Sequence, residues 1–260
     1  MRFFNKLGFF NQKRREERLF SDISGYEEVK STLLKVLKCT DPIHVLLVGP
    51  PGIGKTRFLK AIEKEYPDLS YFVLASGSTG AGMINHCFEN PPRFLLIDEI
   101  EDMKQSDQAA LLSLLQDGCL VETKVSKTRR IDFTCSVIAT CNEIKKLRKP
   151  LLSRFAVIEF KAYESLKEFK EVTLDVLKGN DLAEYIAERV YEWSSNPNVR
   201  DCVRMSRLCQ TEQDDLMTLS AKVMTRQIQT AISRPYQLLP TELKPVANVI
   251  RCKCGCCETL

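Results

Sequence analysis

The sequence predicts an α/β fold, in which helices cover both faces of a parallel β-sheet, followed by a small all-helical domain. Up to about residue 165, short apolar segments alternate with segments of helical character, and this alternation is typical of a three-layer αβα arrangement. Beyond that point the patterns are helical throughout. The chain has 260 residues, of which 44% are hydrophobic and 28% charged, which is ordinary for a globular protein with a sizeable core.

Five segments of the first domain, which we expect to cover 21–165, have the apolar, β-rich composition of buried strands. They are residues 43–48, 71–74, 94–97, 135–139 and 157–160. Helices are predicted over 56–66 and 106–117, ended by a proline and a glycine respectively. Two alternating segments about a polar turn at 126–128 predict an inserted β-hairpin over about 119–134.

The second domain is predicted over residues 166–232. Ser165 and Glu168 have the spacing of a capping box, which marks a helix start. The predicted helices run from this cap to about Gly179, over 181–193, over 198–209 and over about 212–232. We expect residues 1–20 to form a basic N-terminal arm and residues 233–260 to form a C-terminal tail.

The strongest chemical signal is the segment Gly-Pro-Pro-Gly-Ile-Gly-Lys-Thr at 49–56, which satisfies G-x-x-x-x-G-K-[ST] between a predicted strand and a predicted helix. Glycines allow backbone N–H groups to surround a phosphate, and the helix N-terminus adds a partial positive charge. Lys55 can reach the β- and γ-phosphates, and the Thr56 hydroxyl can ligate Mg²⁺. The sequence therefore predicts that ATP and Mg²⁺ are bound by Gly49, Pro50, Pro51, Gly52, Ile53, Gly54, Lys55, Thr56 and Arg57.

A second signal is the pair of carboxylates that ends the apolar strand over 94–97. Asp98 falls at the carboxyl edge of the predicted sheet, where ligands bind in such folds. We expect Asp98 to hold Mg²⁺ through water, as the second protein group at the metal beside Thr56. Glu99 would act as the general base that activates the attacking water.

With these two motifs the chain resembles the AAA+ ATPases, from about Phe20 to about Thr230. The resemblance implies further site residues by position. Asn142, at the end of a strand, is similar to the sensor 1 residue that positions water with the base. Arg154 is similar to the arginine finger, which acts on the nucleotide of a neighbouring subunit. Arg200 is similar to the sensor 2 residue of a helical lid. The resemblance therefore implies a homo-oligomeric ring, a hexamer.

Parts of the chain are similar to minichromosome-maintenance helicases, namely the segments 24–30 and 75–82 that flank the nucleotide loop. This similarity places Ile23 and Tyr26 near the adenine. The inserted hairpin also resembles that of helicase, magnesium-chelatase and MoxR-type members. Its cations are Lys124, Lys127, Arg129 and Arg130. In helicase rings such cations track a nucleic-acid backbone, although a solvated hairpin or a subunit contact remains the alternative.

The segment 151–155 and the compact lid are similar to RuvB, a branch-migration motor. About 30 residues follow the predicted lid, so we expect DNA contact to come from the hairpin, the arm or a separate DNA-targeting protein. The expected function is thus a DNA helicase or translocase in recombination, repair or replication. A protein-remodelling chaperone of the MoxR or chelatase kind and a nucleotide-dependent loader or switch are the alternatives.

The two ends of the chain leave alternatives open. Residues 1–18 carry a net charge of +4, which equals the net charge of the whole chain, so the arm could contact phosphates or an acidic partner, or remain solvated. The tail holds Cys252, Cys254, Cys256 and Cys257 without paired C-x-x-C spacings, which leaves a reduced tail and a metal site as alternatives. No apolar run approaches the roughly 20 residues of a membrane span, and we expect a cytoplasmic protein without a membrane partner.

Overall fold

A computed structural model describes residues 18–77, 80–124, 127–163, 165–194 and 197–209. The strands in these ranges are β1 (Val45–Val48), β2 (Ser70–Leu74), β3 (Phe94–Asp98), β4 (Cys119–Lys124), β5 (Lys127–Asp132), β6 (Ser136–Cys141) and β7 (Ala156–Glu159). Five of them form one parallel sheet in the order β2-β3-β6-β1-β7. The predicted parallel sheet is therefore confirmed.

The described helices flank the sheet and then continue as a helical region. They are α1 (Glu27–Lys38), α2 (Lys55–Glu65), α3 (Gly80–Glu89), α4 (Gln105–Asp117), α5 (Lys149–Leu152), α6 (Leu166–Val176), α7 (Ala183–Trp193) and α8 (Val199–Ser206). Short 3₁₀ turns occupy Ile100–Asp102 and Ile144–Lys146. No helix in the described ranges combines the length and the apolar character needed to cross a membrane.

Both faces of the sheet are buried, because successive residues of a strand point to opposite faces. In β1, Val45 and Leu47 pack into one apolar cluster, whereas Leu46 packs into another. In β3, Leu96 belongs to the first cluster and Leu95 to the second. This explains why the strands are continuous apolar runs, and it gives the three-layer αβα architecture that the sequence predicts.

The strand register brings three functional segments to one edge of the sheet. β6 lies between β1 and β3, with Val48 opposite Cys141 and Ile97 opposite Ala139. Because the strands are parallel, the loop after β1, the end of β3 and the residue after β6 emerge side by side. This edge is where the candidate site forms.

Three described helices, α1, α3 and the short α5, were not foreseen from the pattern of the sequence. Helix α3 begins at Gly80, and glycines are poor helix formers. Its start is stabilised from outside the segment, because the Gly80 N–H donates to Oδ2 of Asp107 in α4 at 3.1 Å. A Cβ on Gly80 would overlap that carboxyl group, so glycine is required there. This tertiary cap explains why local propensity gave no signal.

The inserted hairpin is present, but residues 127–128, which were predicted to lie in its turn, belong to β5. Lys127 and Thr128 lie in β5, where Thr128 pairs with Thr123 and Lys127 with Lys124. Opposed β-branched residues favour continued pairing, which extends the ladder towards the tip. Residues 125–126, between β4 and β5, lie outside the described residues.

The helical region follows the predicted order. The Ser165 hydroxyl accepts from the Glu168 N–H at 3.2 Å, as the capping box requires. Helix α6 is succeeded by α7 and α8, which pack against one another. The predicted helix over 212–232, the arm before residue 18 and the tail cysteines lie outside the described residues.

Candidate nucleotide-binding site

A cavity of about 250 Å³ opens at the carboxyl edge of the sheet. Its walls come from the loop after β1, from the ends of β3 and β6, from the segment before α1, and from helices α6 and α8 of the helical region. The α/β part and the helical part therefore share one cavity. Such a crevice is where ligands bind in open α/β folds.

Two glycines give the phosphate loop its shape. Gly52 has a left-handed φ of +87°, and a Cβ added there would lie 2.9 Å from the Cβ of Asn198. Gly49 is pressed against the strand-end residue Phe160, whose carbonyl oxygen would lie 2.5 Å from an added Cβ. Both positions exclude a side chain, which explains why the motif needs glycine there.

Lys55, the first residue of α2, folds back over the loop. Its Nζ donates to the carbonyl oxygens of Gly49 at 2.6 Å and Pro50 at 2.7 Å, and to Oδ1 of Asn142 at 2.8 Å. The residue is only 6% exposed. Burial lowers the pKa of Lys55 to about 8, although the nearby charge of Glu101 opposes this shift. The lysine and the predicted sensor asparagine thus meet at the loop.

Asp98 is held in place by two hydroxyl groups. Thr56 and Thr140 both donate to its Oδ1, at 2.9 and 2.6 Å, and the Glu99 N–H donates to the Thr140 hydroxyl oxygen at 2.9 Å. Asp98 is 7% exposed. This chain of hydrogen bonds joins the start of α2, the end of β3 and the inside of β6 at one point.

The Thr56 hydroxyl and the Asp98 carboxylate fit Mg²⁺, which prefers oxygen ligands. They are already in contact on the phosphate-loop side of the cavity, as a metal bound to both nucleotide and protein requires. When bound, Mg²⁺ would neutralise negative charge on the phosphates.

Glu99 follows Asp98 in a left-handed conformation, with φ of 56°. Such a conformation is strained for a residue other than glycine and is common at functional sites. Burial raises the pKa of Glu99, and the charges of Asp98, Asp102 and Glu101 add to the shift, whereas Arg200 opposes it. A raised pKa makes the carboxylate a better proton acceptor, which suits a general base.

Ile23 and Tyr26 line the same cavity. Ile23 is buried, and the Tyr26 ring packs on Phe160 with centroids 4.9 Å apart. The Tyr26 hydroxyl is buried beside that of Tyr163, and burial raises its pKa although the hydrogen bond with Tyr163 opposes this shift. A mostly apolar wall with a few hydroxyl groups is a suitable surface for a nucleobase.

The predicted arginines occupy different places. Arg200, at the start of α8, lines the cavity, and its charge acts on both Lys55 and Glu99. Arg57 also lines the cavity and donates to the carbonyl oxygen of Asp22. Arg154 is exposed and lies outside the residues that line the cavity, with hydrogen bonds to Gln116 and Ser153.

The hairpin cations are partly engaged within the protein. Arg129 donates to Oδ1 of Asn85 at 2.7 Å and lies over the Phe88 ring at 4.7 Å, which ties the hairpin to α3. Arg130 forms an ion pair with Asp132 at 2.8 Å. The side chains of Lys124 and Lys127 lie outside the described part of the structure, whereas their backbones pair directly across the hairpin.

Three contributors to the site were missed from the sequence. Thr140 is a polar residue within an otherwise mostly apolar buried strand, and that contrast was a signal. Glu101 accepts a hydrogen bond from the Asn142 N–H at 2.7 Å. It lies in a run of acidic residues, so no signal in the sequence distinguishes it from its neighbours. Asn198 packs on Gly52 from the helical region, a contact that no local pattern could indicate.

Comparisons with known proteins identify a family model and several relatives that this chain matches. The family model for the ATPase family associated with various cellular activities (AAA) matches residues 45–163. The DNA replication licensing factor mcm-5 of Caenorhabditis elegans is 26% identical over 205 residues, which are 68% of this chain and 26% of that protein. The Holliday junction branch migration complex subunit RuvB of Wolbachia sp. subsp. Drosophila simulans is 31% identical over 135 residues, 47% of this chain and 41% of that protein.

Among solved structures, the Thermotoga maritima RuvB Holliday junction branch migration motor matches with a TM-score of 0.54 and 24% identity, over 80% of this chain and 68% of that chain. Residues 45–163 match the AAA family model, and the chain has the P-loop αβα fold of AAA+ proteins. Within that class the chain resembles RuvB-type and minichromosome-maintenance-type proteins. It spans less than half the length of either curated relative.

Proposed function

We propose that this protein hydrolyses ATP with Mg²⁺ at a site that a neighbouring copy of the chain completes. The observation that carries the proposal is the hydrogen-bond chain from Thr56 through Asp98 and Thr140 to the backbone of Glu99. It fixes the metal-binding groups and the base relative to one another. Lys55 would bind the phosphates, and Glu99 would take the proton of the attacking water.

The test is ATP binding and steady-state turnover of Glu99→Gln and Lys55→Ala. Removing the base should lower turnover by about 10²–10⁴-fold while ATP still binds, whereas removing the lysine should abolish binding. Glu89→Gln is the matched control, since Glu89 is an exposed carboxylate at the end of α3. Undiminished turnover in Glu99→Gln would contradict the assignment, and a wild-type protein that binds ATP without turnover would favour a loader or switch.

We propose that the chain forms a ring, which the resemblance to AAA+ ATPases implies is a hexamer. In this ring each subunit would contribute Arg154 to the nucleotide site of its neighbour. The exposed position of Arg154, outside the residues that line the cavity of its own chain, supports a role across an interface. An arginine supplied in this way accelerates phosphoryl transfer by about 10³–10⁵-fold. An isolated subunit would then be a poor ATPase.

We propose DNA as the substrate on which the ATPase acts, as a helicase or translocase. The relatives are named for DNA replication licensing and for Holliday junction branch migration. Within the chain, the backbones of Lys124 and Lys127 pair with one another at the end of β4 and the start of β5. Two adjacent cations at a hairpin tip suit a phosphate backbone. A separate DNA-targeting protein would direct this chain to particular DNA structures.

Turnover should be measured with and without forked and four-way DNA at two salt concentrations. DNA should stimulate turnover, and the stimulation should fall with salt because phosphate contacts release counterions. The double substitution Lys124→Ala and Lys127→Ala should remove stimulation, whereas Lys145→Ala with Lys146→Ala, a second exposed lysine pair, should not. Stimulation by a protein and by no DNA would instead favour the MoxR-like or chelatase-like chaperone.

A further inference from the structure

We propose that Glu101 is a positioning residue of this site, which holds Asn142 in the orientation that faces Lys55. The inference rests on the proposed ATPase function. It gives Glu101 a role that differs from the metal-binding and general-base roles of Asp98 and Glu99. It starts from the backbone of Asn142. The β6 ladder ends at Cys141, which pairs with Val48, and Asn142 therefore lies one residue beyond the strand.

Glu101 supplies the acceptor that the ladder no longer provides. The Asn142 N–H donates to Oε1 of Glu101 at 2.7 Å. The side chain of the same asparagine accepts from Lys55 Nζ at 2.8 Å. Glu101, Asn142 and Lys55 thus form one continuous chain of contacts, and a shift of Asn142 would disturb the lysine as well.

The burial of Glu101 indicates a specific role. The residue is 7% exposed, and its second oxygen, Oε2, is buried without a hydrogen-bond partner in the part of the chain that the structure describes. A buried carboxyl group with one unpaired oxygen is unfavourable for folding. An apolar side chain at this position would remove the acceptor of the Asn142 N–H, so the glutamate makes this contact at the cost of burying a carboxyl group.

The turn at Ile100–Asp102 makes Glu101 a link between base and sensor. Glu99 precedes this turn in its left-handed conformation, and Ile100 anchors the turn with a fully buried side chain. Glu99 therefore faces the cavity while Glu101 reaches the residue after β6. A rigid turn that contacts both groups fixes the distance between the base and Asn142.

The proposal is tested with Glu101→Met and Glu101→Gln. The two side chains have similar length, and glutamine alone keeps an oxygen that can accept the Asn142 N–H. Turnover should fall by up to about 100-fold in Glu101→Met, with ADP affinity retained, and should largely recover in Glu101→Gln. Ile100→Val is the control for a general packing defect in this turn. In an Asn142→Ala background, Glu101→Met should cause no further loss of turnover, because it acts through that side chain.

Hydrogen exchange of the Asn142 backbone N–H gives a readout that does not depend on hydrolysis. Protection should be lost in Glu101→Met and kept in Glu101→Gln. Equal turnover in Glu101→Met and wild type, equal loss in the methionine and glutamine variants, or an undiminished effect in the Asn142→Ala background would each overturn the proposal. A wild-type protein without turnover would instead overturn the proposed function, and the exchange measurement would still decide the role of Glu101.

Discussion

Asn198, the residue that caps α8, packs directly on Gly52 of the phosphate loop. A side chain on Gly52 would meet the Asn198 Cβ at 2.9 Å and its Oδ1 at 3.0 Å. The first turn of the same helix carries Arg200, which lines the cavity. The contact between Asn198 and Gly52 therefore links the conformation of the phosphate loop to the position of Arg200, the predicted sensor 2 residue.

Gly52→Ala should weaken ATP binding much more than Gly25→Ala does. Both glycines have positive φ, +87° and +70°, so both alanines carry a similar conformational cost of about 1 kcal/mol. Only Gly52 has a neighbour within 4 Å of the added Cβ. Nucleotide titration by calorimetry measures the difference, and equal affinities in the two variants would show that the contact with Asn198 has no consequence for binding.

Asn198→Ala should lower the free energy of unfolding by about 2 kcal/mol. The Asn198 Oδ1 accepts from the Asp201 N–H at 3.0 Å, and its Nδ2 donates to the Asp201 carboxylate at 2.7 Å. Because Asp201 is completely buried, losing that donor costs more than losing an ordinary cap. Asn198→Ser keeps a capping oxygen and should lose less in urea unfolding. A larger loss in the serine variant would contradict this account.

The stability of the nucleotide-free protein should carry a pH dependence that Lys55 causes. Burial lowers the pKa of this lysine from 10.5 to about 8. Between these two values the unfolded chain still binds a proton that the folded chain has released, so stability rises with pH through this window. The gain across the window is about 3 kcal/mol.

Buried thiols shift stability in the opposite direction at higher pH, since burial raises the pKa of Cys135 and Cys202 to about 12. Urea unfolding of wild type should therefore be compared with Lys55→Met, which keeps the thiols and lacks the lysine. The difference in unfolding free energy, wild type minus variant, should increase from pH 8 to pH 10. Parallel curves over that range would refute the assignment.

Mixing two inactive variants should restore turnover if Arg154 acts across a subunit interface. Arg154→Ala keeps an intact base, and Glu99→Gln keeps an intact arginine. A mixed ring contains junctions that combine the intact Glu99 of one subunit with the intact Arg154 of its neighbour. Phosphate release should exceed that of either variant alone and vary with the mixing ratio. A mixture no more active than its parts would place Arg154 outside the shared site.

The phosphate loop and the end of β3 could be predicted because their signals are local. A strand, a glycine-rich loop and a helix start within a few residues give the loop, and an apolar run before Asp98 gives the edge carboxylates. The order of the chain also indicated Asn142 and Arg200 through the resemblance, and the structure brings both to the loop.

The rest of the site depends on contacts between distant parts of the chain. Thr140 meets Asp98 only because β6 is inserted beside β3, and Asn198 meets Gly52 only through packing of the helical region. The turn of the hairpin differed for a similar reason, since cross-strand pairing at Thr128 outweighs its polar character. The anchoring of Arg129 on α3 likewise arises from tertiary packing.

The apolar interior on one face of the sheet continues without a break into the helical region. Phe58 of α2 and Phe169 of α6 belong to the same buried cluster, and the Tyr163 and Phe169 rings are in contact with centroids 5.0 Å apart. A truncation after residue 165 would therefore expose the apolar side chains of that face to water and leave an aggregation-prone fragment. A swing of the helical region away from the sheet would expose these apolar side chains to water, whereas a sliding movement over the common interior would keep them covered.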